Sequence, residues 1–271
     1  MSSLKQKEQS IMQRKLNKFI AIAALTLAHH ALAGAPHSDV ILTVEDNAIT
    51  TNSETPEGTT PTRVFGSDLI NLAGFWTTDE PGFDSLPGTF PTGTEIGFVI
   101  EDTVRKWDGL TFDDVAVEQM SLEFSVLGPV FSPTTPGTEA VGFNIPVQPD
   151  GGWHKHYDFY LEPPASTGVY LLTLRLTHTG SIEDSLPLYL VFNQSESESI
   201  HDAAIDFVIN TILAPSCPED LNNDNVIDTA DLGILIAAFG TADPIADINN
   251  DNIVDTADLG ILIALFGSNC N

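Results

Sequence analysis

The last quarter of the chain contains two copies of a loop that is rich in carboxylates and amides. DLNNDNVIDTADLGILIAAFG begins at residue 220, and DINNDNIVDTADLGILIALFG begins at residue 247. Side-chain oxygens fall at positions 1, 3, 5, 9 and 12 of each loop, and the backbone carbonyl of position 7 adds another; this spacing suits one hard cation. The sequence therefore predicts two calcium sites, formed by Asp220, Asn222, Asp224, Val226, Asp228 and Asp231 and by Asp247, Asn249, Asp251, Ile253, Asp255 and Asp258.

Both loops depart from the ordinary EF-hand pattern. Position 6 carries Asn225 and Asn252 where glycine is usual, and asparagine is the next residue to tolerate a left-handed backbone. Position 12 is aspartate instead of glutamate. A pair of Asx-rich turns that cap helices is the alternative, but capping needs only one or two acids in each turn. Five matching oxygens in both loops favour bound calcium.

An apolar helix is predicted after each loop. Residues 230–239 and 257–266 are rich in Leu, Ile and Phe, and a glycine follows each stretch. We expect the two helices to pack together, and we expect Ile227 and Val254 at loop position 8 to bridge the paired loops. A proline shortly before each loop leaves no room for a full entering helix.

A loop and a following helix, duplicated over residues 217–271, resemble the type I dockerin. The resemblance implies calcium-dependent docking onto a cohesin-like module of a scaffold or cell-surface protein. Loop positions 10 and 11 help to choose the partner in that family, and their identity in both halves implies a pseudo-twofold contact surface. This resemblance assigns partner binding to Thr229, Ala230, Thr256 and Ala257.

Both cysteines of the chain, Cys217 and Cys270, bracket the duplicated segment. In an exported protein the simplest interpretation is one disulfide that joins the two ends of a small domain. Free thiols, or a separate role for each cysteine, are the alternatives.

The N-terminus has the features of a secretory signal peptide. A basic region precedes the apolar stretch FIAIAALTLA, and residues 31–33 offer a small-x-small cleavage site. A membrane span would need about 20 uninterrupted apolar residues, whereas His29 and His30 interrupt this run. We therefore expect residues 1–33 to be removed, and the product to be secreted, extracellular or cell-surface associated, without a membrane span.

The chain is strongly acidic. It contains 38 Asp and Glu against 10 Lys and Arg, a formal net charge of −28 at pH 7. Such a surface repels phosphate backbones and anionic lipids. Nucleic acid is therefore excluded as a partner.

Residues 34–213 have the pattern of a β domain. Alternating or continuous apolar stretches recur between Pro and Gly turns, and seven or eight strands of this length suit an antiparallel β-sandwich. A closing helix is predicted from Ser199, with an apolar stripe through residues 200–212. The predicted fold class is thus mainly β, an antiparallel β-sandwich followed by a small all-α calcium-binding dockerin domain. The predicted strands are VILTVEDNAIT, TEIGFVIEDTV, EQMSLEFSVLG, AVGFNIPV, YDFYLEP, GVYLLTLRLTH and LPLYLVFN.

Two histidines in GWHKHYDFYL could bind a metal ion. On a β-strand, His154 and His156 would lie on one face about 6.6 Å apart, close enough for both imidazoles to bind one zinc ion. Surface histidines beside a Gly-Gly turn are the alternative explanation. His37 and His201 are the first candidates for further ligands, and His178 is a weaker one.

The stretches HKHYDFYLEPPASTGVYLLTLRL, SLPLYLVFN, HDAAIDFV and PGTFPTGTEIGF resemble an exported bacterial family that is controlled by a zinc-uptake repressor and often carries a PEP-CTERM sorting tail. The resemblance covers residues 36–213, and the duplicated loop-helix segment stands where the sorting helix is expected. It implies a metal-linked role at the cell surface, with zinc or a related ion as the metal. The matching histidines are His37, His154, His156 and His201.

These features predict an exported, non-catalytic surface or scaffold-attached protein whose β domain binds zinc or a related metal. The alternative is a carbohydrate-binding or glycoside-hydrolase accessory component of a polysaccharide-degrading complex, in which Trp76, Trp107 and Trp153 stack on sugars. Acids are too numerous for any pair to indicate a catalytic acid and base, and core burial is the simpler explanation of at least two tryptophans. We therefore predict no catalytic residue.

Overall fold

The computed structural model describes residues 39–55, 58–213, 217–222, 224, 226–249 and 251–270. The predicted signal peptide, His37 and Asn225 lie outside the described residues. The chain divides into two units, the first of which ends at Val208 while the second begins at Ile209.

The prediction of a mainly β protein is confirmed, because strand accounts for 37% and helix for 15% of the described residues. In chain order the strands of the first unit are β1 Val40–Glu45, β2 Ala48–Thr55, β3 Gly58–Pro61, β4 Val64–Asp68, β5 Ile70–Leu72, β6 Phe75–Thr78, β7 Phe83–Asp84, β8 Glu95–Ile100, β9 Arg105–Lys106, β10 Asp114–Val115, β11 Met120–Phe124, β12 Leu127–Phe131, β13 Ala140–Val141, β14 Ile145–Pro146, β15 Asp158–Leu161, β16 Gly168–His178 and β17 Leu188–Gln194.

These strands form three sheets, an arrangement consistent with a β-sandwich. The first has the order β3-β2-β1-β7, and the third has the order β12-β11-β15-β6-β5. The second runs β10-β9-β16-β17-β4, and β8 joins it along β16. Most pairs are antiparallel as expected, but β1 pairs with β7 and β17 pairs with β4 in parallel.

The predicted strands cover only part of the sheets. The first predicted stretch divides into the hairpin β1–β2, whose turn residues Asp46 and Asn47 have φ of 49° and 65°, as two-residue hairpin turns require. The stretch GVYLLTLRLTH coincides with β16. Strand β3 has no counterpart in the prediction because all four of its residues are exposed, so it carries no alternation of apolar and polar residues.

An aromatic core fixes the segment before β15. Trp153 and Tyr157 are fully buried, and the Tyr157 ring lies 5.3 Å from the centroids of Phe83 and Phe98. The Trp153 indole N–H donates to the carbonyl of Ile145 at 3.3 Å. Burial raises the pKa of the Tyr157 phenol far above its usual value. Because alternate residues of an extended chain face opposite sides, these two anchors turn the intervening even-numbered residues away from the core.

One helix follows β17. This helix, α1, covers Glu198–Phe207 and continues into a π-helical turn at Val208–Ile212. Its N-cap is Ser197, two residues before the predicted start, and the Ser197 side chain makes no capping hydrogen bond. The inner face is formed by His201, Ala204 and Val208, which are all fully buried.

The second unit contains two short helices, α2 at Thr229–Ala238 and α3 at Thr256–Ala264. Leu235 and Leu262 are fully buried in its apolar cluster. Cys217 and Cys270 form a disulfide with their Cα atoms 5.8 Å apart. No helix among the described residues is long and apolar enough to cross a membrane.

Candidate metal centres

The first candidate centre combines Asp39, His154 and His156, whose ligand atoms all lie within 4.8 Å of one another. Backbone pairing brings these distant segments together. Phe83 N–H donates to the carbonyl of Lys155 at 2.8 Å, and Lys155 N–H donates back at 2.9 Å. The two histidines flank this bridge on an extended segment outside any named strand, and their ring centroids are 5.1 Å apart.

The tautomer of His156 suits metal binding. Its Nδ1 lies 3.1 Å from the backbone carbonyl of Asp79, and a carbonyl can only accept, so Nδ1 carries the proton and Nε2 carries the lone pair. Nε2 lies 4.0 Å from Oδ2 of Asp39. Two ligand atoms of one tetrahedral zinc ion lie about 3.4 Å apart, so these two side chains would have to approach each other slightly to share one ion.

A backbone N–H group orients two carboxylates at this centre. Gly82 N–H donates to Oδ1 of Asp39 at 3.2 Å and to Oε2 of Glu80 at 3.0 Å. Burial raises the pKa of Glu80, and the nearby negative charge of Asp39 acts in the same direction. Oδ1 of Asp84 lies 3.3 Å from Nδ1 of His154, a fourth side chain to which no sequence pattern points. Asp84 is not one of the three residues whose ligand atoms all lie within 4.8 Å of one another, so it is placed to orient the His154 ring.

The other predicted histidines do not join this group. His37 lies outside the described residues. His201 belongs to a second cluster with Asp68 and Glu198, so its expected place beside His154 and His156 is corrected. His178 contacts Thr94 Oγ1 through Nε2 at 2.9 Å and accepts from Gly180 N–H through Nδ1 at 3.0 Å, so both of its ring nitrogens already have partners.

The first loop of the second unit folds around its own carboxylates. The two oxygens of Asp231 accept from the backbone N–H groups of Asn222 at 3.1 Å and Asp228 at 2.8 Å. Asp220 Oδ1 accepts from Asp224 N–H at 3.1 Å. The Asp228 carboxylate also caps α2 by accepting from Ala230 N–H at 2.7 Å. Each carboxylate oxygen has a second lone pair, so these bonds leave room for a cation.

The second loop repeats this pattern almost bond for bond. Asp258 accepts from Asn249 N–H at 3.1 Å and from Asp255 N–H at 2.8 Å, and Asp251 N–H donates to Asp247 at 3.1 Å. Position 6, Asn252, has φ of 72°, the left-handed conformation expected there. Burial opposes ionisation of the Asp258 carboxyl, but the N–H donors of Asp255 and Asn249 lower its pKa. This carboxylate therefore stays negative over a wide pH range.

The loop carboxylates are less tightly grouped than the histidine centre. Among the described residues, two groups of three side chains have all their ligand atoms within 4.8 Å, and both lie in the first unit. In the loops the carboxylates accept from separate backbone N–H donors. Position 6 of the first loop lies outside the described residues.

The two loops are held in place by a crossed pairing. Ile227 N–H donates to the carbonyl of Ser268 at 3.0 Å, and Val254 N–H donates to the carbonyl of Thr241 at 2.8 Å. Ile227 of the first loop therefore pairs with the segment after α3, and Val254 of the second loop pairs with the segment after α2. The sequence predicted instead that these two residues bridge the loops directly. The four predicted partner-binding residues, Thr229, Ala230, Thr256 and Ala257, are all exposed in the first turns of α2 and α3.

The three tryptophans do not converge into one sugar platform. Trp153 is fully buried, and Trp76 packs against the same core. Trp107 packs in tilted orientation against Phe112 and Phe207, whose ring centroids are 5.1 and 5.3 Å away. It lines a cleft of about 370 Å³, together with Lys106, Asp114, Val115, Ala116, Val117, Glu118, Pro164 and Ser166.

Protein-family models gave no match to this chain, and curated proteins gave none either. The resemblances to the type I dockerin and to the zinc-regulated exported family therefore rest on the sequence motifs quoted above.

Proposed function

We propose that this protein is an exported, non-catalytic component that docks onto a cohesin-like module through a calcium-dependent dockerin and binds zinc through its β domain. The observation that carries the proposal is the equivalence of the two loops. Asp220 and Asp247 accept from the N–H four residues further on at the same distance, 3.1 Å, and Asp231 and Asp258 each accept from two loop N–H groups. Helix capping accounts for the carboxylate at position 9 and, through a capping box, for one of the two bonds at position 12, but it does not account for the bond at position 1.

The exposed surface of the second unit supports docking. Ile236 and Ile263 occupy equivalent positions of the two helices and are 59% and 56% exposed; Phe239 and Phe266 follow the helices and are 46% and 44% exposed. Each pair is 27 residues apart, like the loops themselves. Duplicated apolar side chains beside exposed loop residues are typical of a protein-binding surface. The acidic loops around this surface favour a partner with complementary positive charge.

Calcium has a direct physical role in the proposal. Every ligand aspartate of a loop repels its neighbours, and the described residues 217–270 contain no Lys or Arg to offset them. A divalent cation removes this repulsion, so calcium binding and folding of the second unit are coupled. We therefore expect the unit to lose stability, and to lose its partner, when calcium is chelated.

The test uses the full chain and measures calcium binding and thermal unfolding together. Calcium should raise the unfolding temperature of the second unit and should bind with a stoichiometry of about two. Asp224→Asn and Asp251→Asn, combined, should weaken both sites while keeping the shape of the side chains. Asp243→Asn changes the charge of an exposed acid outside the loops and should leave calcium binding unchanged. A combined loop variant that binds calcium like the parent chain contradicts the proposal.

Docking is tested with a type I cohesin module. Thr229→Lys or Thr256→Lys alone should weaken binding mildly, because a pseudo-twofold surface offers a second orientation. Both changes together should abolish binding, whereas chelation of calcium should abolish it for every variant. Equal binding by the parent and the doubly substituted chain would place the contact elsewhere.

A second candidate function is favoured by the cleft beside Trp107. Lys106 Nζ donates to Ser166 Oγ at 3.1 Å, and Glu118 is buried next to this serine. An indole with nearby hydroxyl, ammonium and carboxylate groups is suited to a sugar ring. The accessory protein would then bind a polysaccharide. Soluble polysaccharides that bind the parent chain but not Trp107→Ala would favour this function, and Trp76→Ala is the matched control.

A further inference from the structure

A second cluster of metal-ligand side chains lies on the first unit, away from the residues of the His154–His156 centre. Asp68, at the end of β4, and Glu198 and His201, in the first turns of α1, have ligand atoms that all lie within 4.8 Å of one another. The two acids are exposed, whereas His201 is fully buried. Glu198 and His201 are three residues apart and therefore neighbours on one face of the helix. The cluster thus has an open side for an ion and an anchored imidazole.

The imidazole of His201 is oriented as in metal centres. Its Nε2 lies 3.0 Å from the backbone carbonyl of Val191. A carbonyl only accepts, so Nε2 carries a proton and Nδ1 is the nitrogen that can coordinate an ion. Metal-binding histidines commonly donate their other ring N–H to a backbone carbonyl or carboxylate, which fixes the ring and its tautomer.

The carboxylate of Asp68 has a similar outer partner. Asn193 Nδ2 donates to Asp68 Oδ1 at 2.9 Å, and this bond leaves Oδ2 and the second lone pair of Oδ1 for other partners. In the parallel pairing of β17 with β4, Val191 lies across from Gly66 and Asn193 lies across from Asp68. One strand therefore supplies both orienting groups while the neighbouring strand and α1 supply the ligands.

Gly66 makes room for the histidine. A Cβ at this position would lie 3.2 Å from Cε1 of His201 and 2.7 Å from Cδ1 of Ile205. The backbone of β4 thus approaches α1 closely at the point where the imidazole lies. Because Gly66 and Asp68 are two residues apart on a strand, they share one face of the sheet.

We propose that Asp68, Glu198 and His201 form a second site for a divalent transition metal ion, separate from the centre at His154 and His156. One imidazole and two carboxylates suit zinc, manganese or ferrous iron better than calcium, which prefers oxygen alone. The positive end of α1 opposes a cation, but the two carboxylates carry the larger opposite charge. Bound metal would tie the start of α1 to the end of β4.

An ion pair without metal is the competing explanation, in which a protonated His201 is neutralised by Asp68 and Glu198. The two explanations differ in metal content at pH 7.5. Equilibrium dialysis of the full chain at a fixed free Zn²⁺ concentration, with excess Ca²⁺ to occupy the loops, measures the zinc bound to each variant. The proposal expects about two zinc ions for the parent chain and about one after His154→Ala with His156→Ala.

The decisive variant is Asp68→Asn with Glu198→Gln, which keeps the shape of two exposed side chains and leaves the buried histidine in place. It should lose about one zinc ion, while Asp202→Asn, in the same part of α1, should lose none. Zinc content equal to that of the parent chain overturns the proposal. The proposal is also overturned if the parent chain binds a single zinc ion and the His154→Ala, His156→Ala variant binds none. A third outcome is that the His154→Ala, His156→Ala variant binds as much zinc as the parent chain, whereas the Asp68→Asn, Glu198→Gln variant binds less. This outcome contradicts the centre at His154 and His156 and supports the site at Asp68, Glu198 and His201.

Discussion

Gly82→Ala provides a sharp test of the first metal centre because it changes no proposed ligand. A Cβ at Gly82 would lie 2.3 Å from Cε1 and 2.6 Å from Nε2 of His156, and 2.7 Å from Oδ1 of Asp39. Ordinary contacts begin at about 3.4 Å, so the imidazole must move by about 1 Å. Gly82 has no left-handed φ, so alanine adds a steric clash without backbone strain.

The displacement is large for a metal site. Ligand distances in zinc sites hold to within about 0.2 Å, so a movement of about 1 Å removes His156 from the coordination sphere or forces a poor geometry. Loss of a group that hydrogen-bonds a metal ligand lowers metal affinity about 10- to 100-fold, or by about 1.4 to 2.7 kcal/mol of binding free energy. We expect Gly82→Ala to lower zinc affinity by at least this much. The assay is titration of the full chain with Zn²⁺ against a competing chelator, in excess Ca²⁺.

Gly180→Ala is the matched control for this experiment. Its Cβ would lie 2.6 Å from Cε1 of His178 and 3.1 Å from its Nδ1. The substitution therefore displaces a histidine to a similar degree, but this histidine is not part of either metal cluster. Zinc affinity that is unchanged by Gly82→Ala, or lowered equally by Gly180→Ala, would refute the assignment of His156 and Asp39 as ligands.

The remaining predictions concern the calcium loops, the disulfide, the helices and the pH dependence of zinc binding. Asp220→Ala should weaken the first calcium site by about 1.5 to 3 kcal/mol, the range of a lost charge-assisted contact, and calorimetry should find the second site nearly unchanged. Cys270→Ser opens a link across a sequence separation of 53 and should lower the free energy of unfolding of the second unit by about 4 kcal/mol in denaturant titrations. Gly233→Ala and Gly260→Ala, where an added Cβ meets nothing within 4 Å, should each raise that free energy by about 0.5 to 1 kcal/mol. Zinc affinity should fall with increasing acidity, because protons compete with the metal for the imidazole ligands; chelator competition at two pH values checks this.

The sequence predicts the strands that are buried on both faces better than the others. Strand β16 is a nearly continuous apolar run, and its first five residues, 168–172, are buried. The sequence pattern therefore predicts where this strand begins and ends. Strands β3 and β5 are fully exposed; β3 carries no apolar alternation, and β5 is only three residues long, too short for its alternation to predict a strand. The parallel pairing of β17 with β4 joins residues more than 120 positions apart, and local patterns contain no information about such a partner.

The candidate sites also differ in how far the sequence predicts them. A calcium loop supplies all its ligands within twelve consecutive residues, so spacing alone predicts it. His154 and His156 are two residues apart, so the sequence also predicts them as a pair. Asp39 and Asp84 lie near them only because β1 pairs with β7 and β7 pairs with Lys155. No spacing rule connects these segments.

Ligand separation along the chain also determines how each metal acts on stability. A calcium loop can begin to bind its ion as soon as a short segment closes, so part of its affinity persists in partly folded chains. The Asp39–His156 centre and the Asp68–His201 cluster each join residues more than 110 positions apart, so they exist only when the first unit is folded. A zinc ion at 100 times its dissociation constant should therefore stabilise the folded first unit by at most about 2.7 kcal/mol, and zinc that binds His154 and His156 in the unfolded chain reduces this figure. Because imidazole ligands discriminate against calcium, we expect this stabilisation to respond to transition metals, and we expect calcium to act on the second unit.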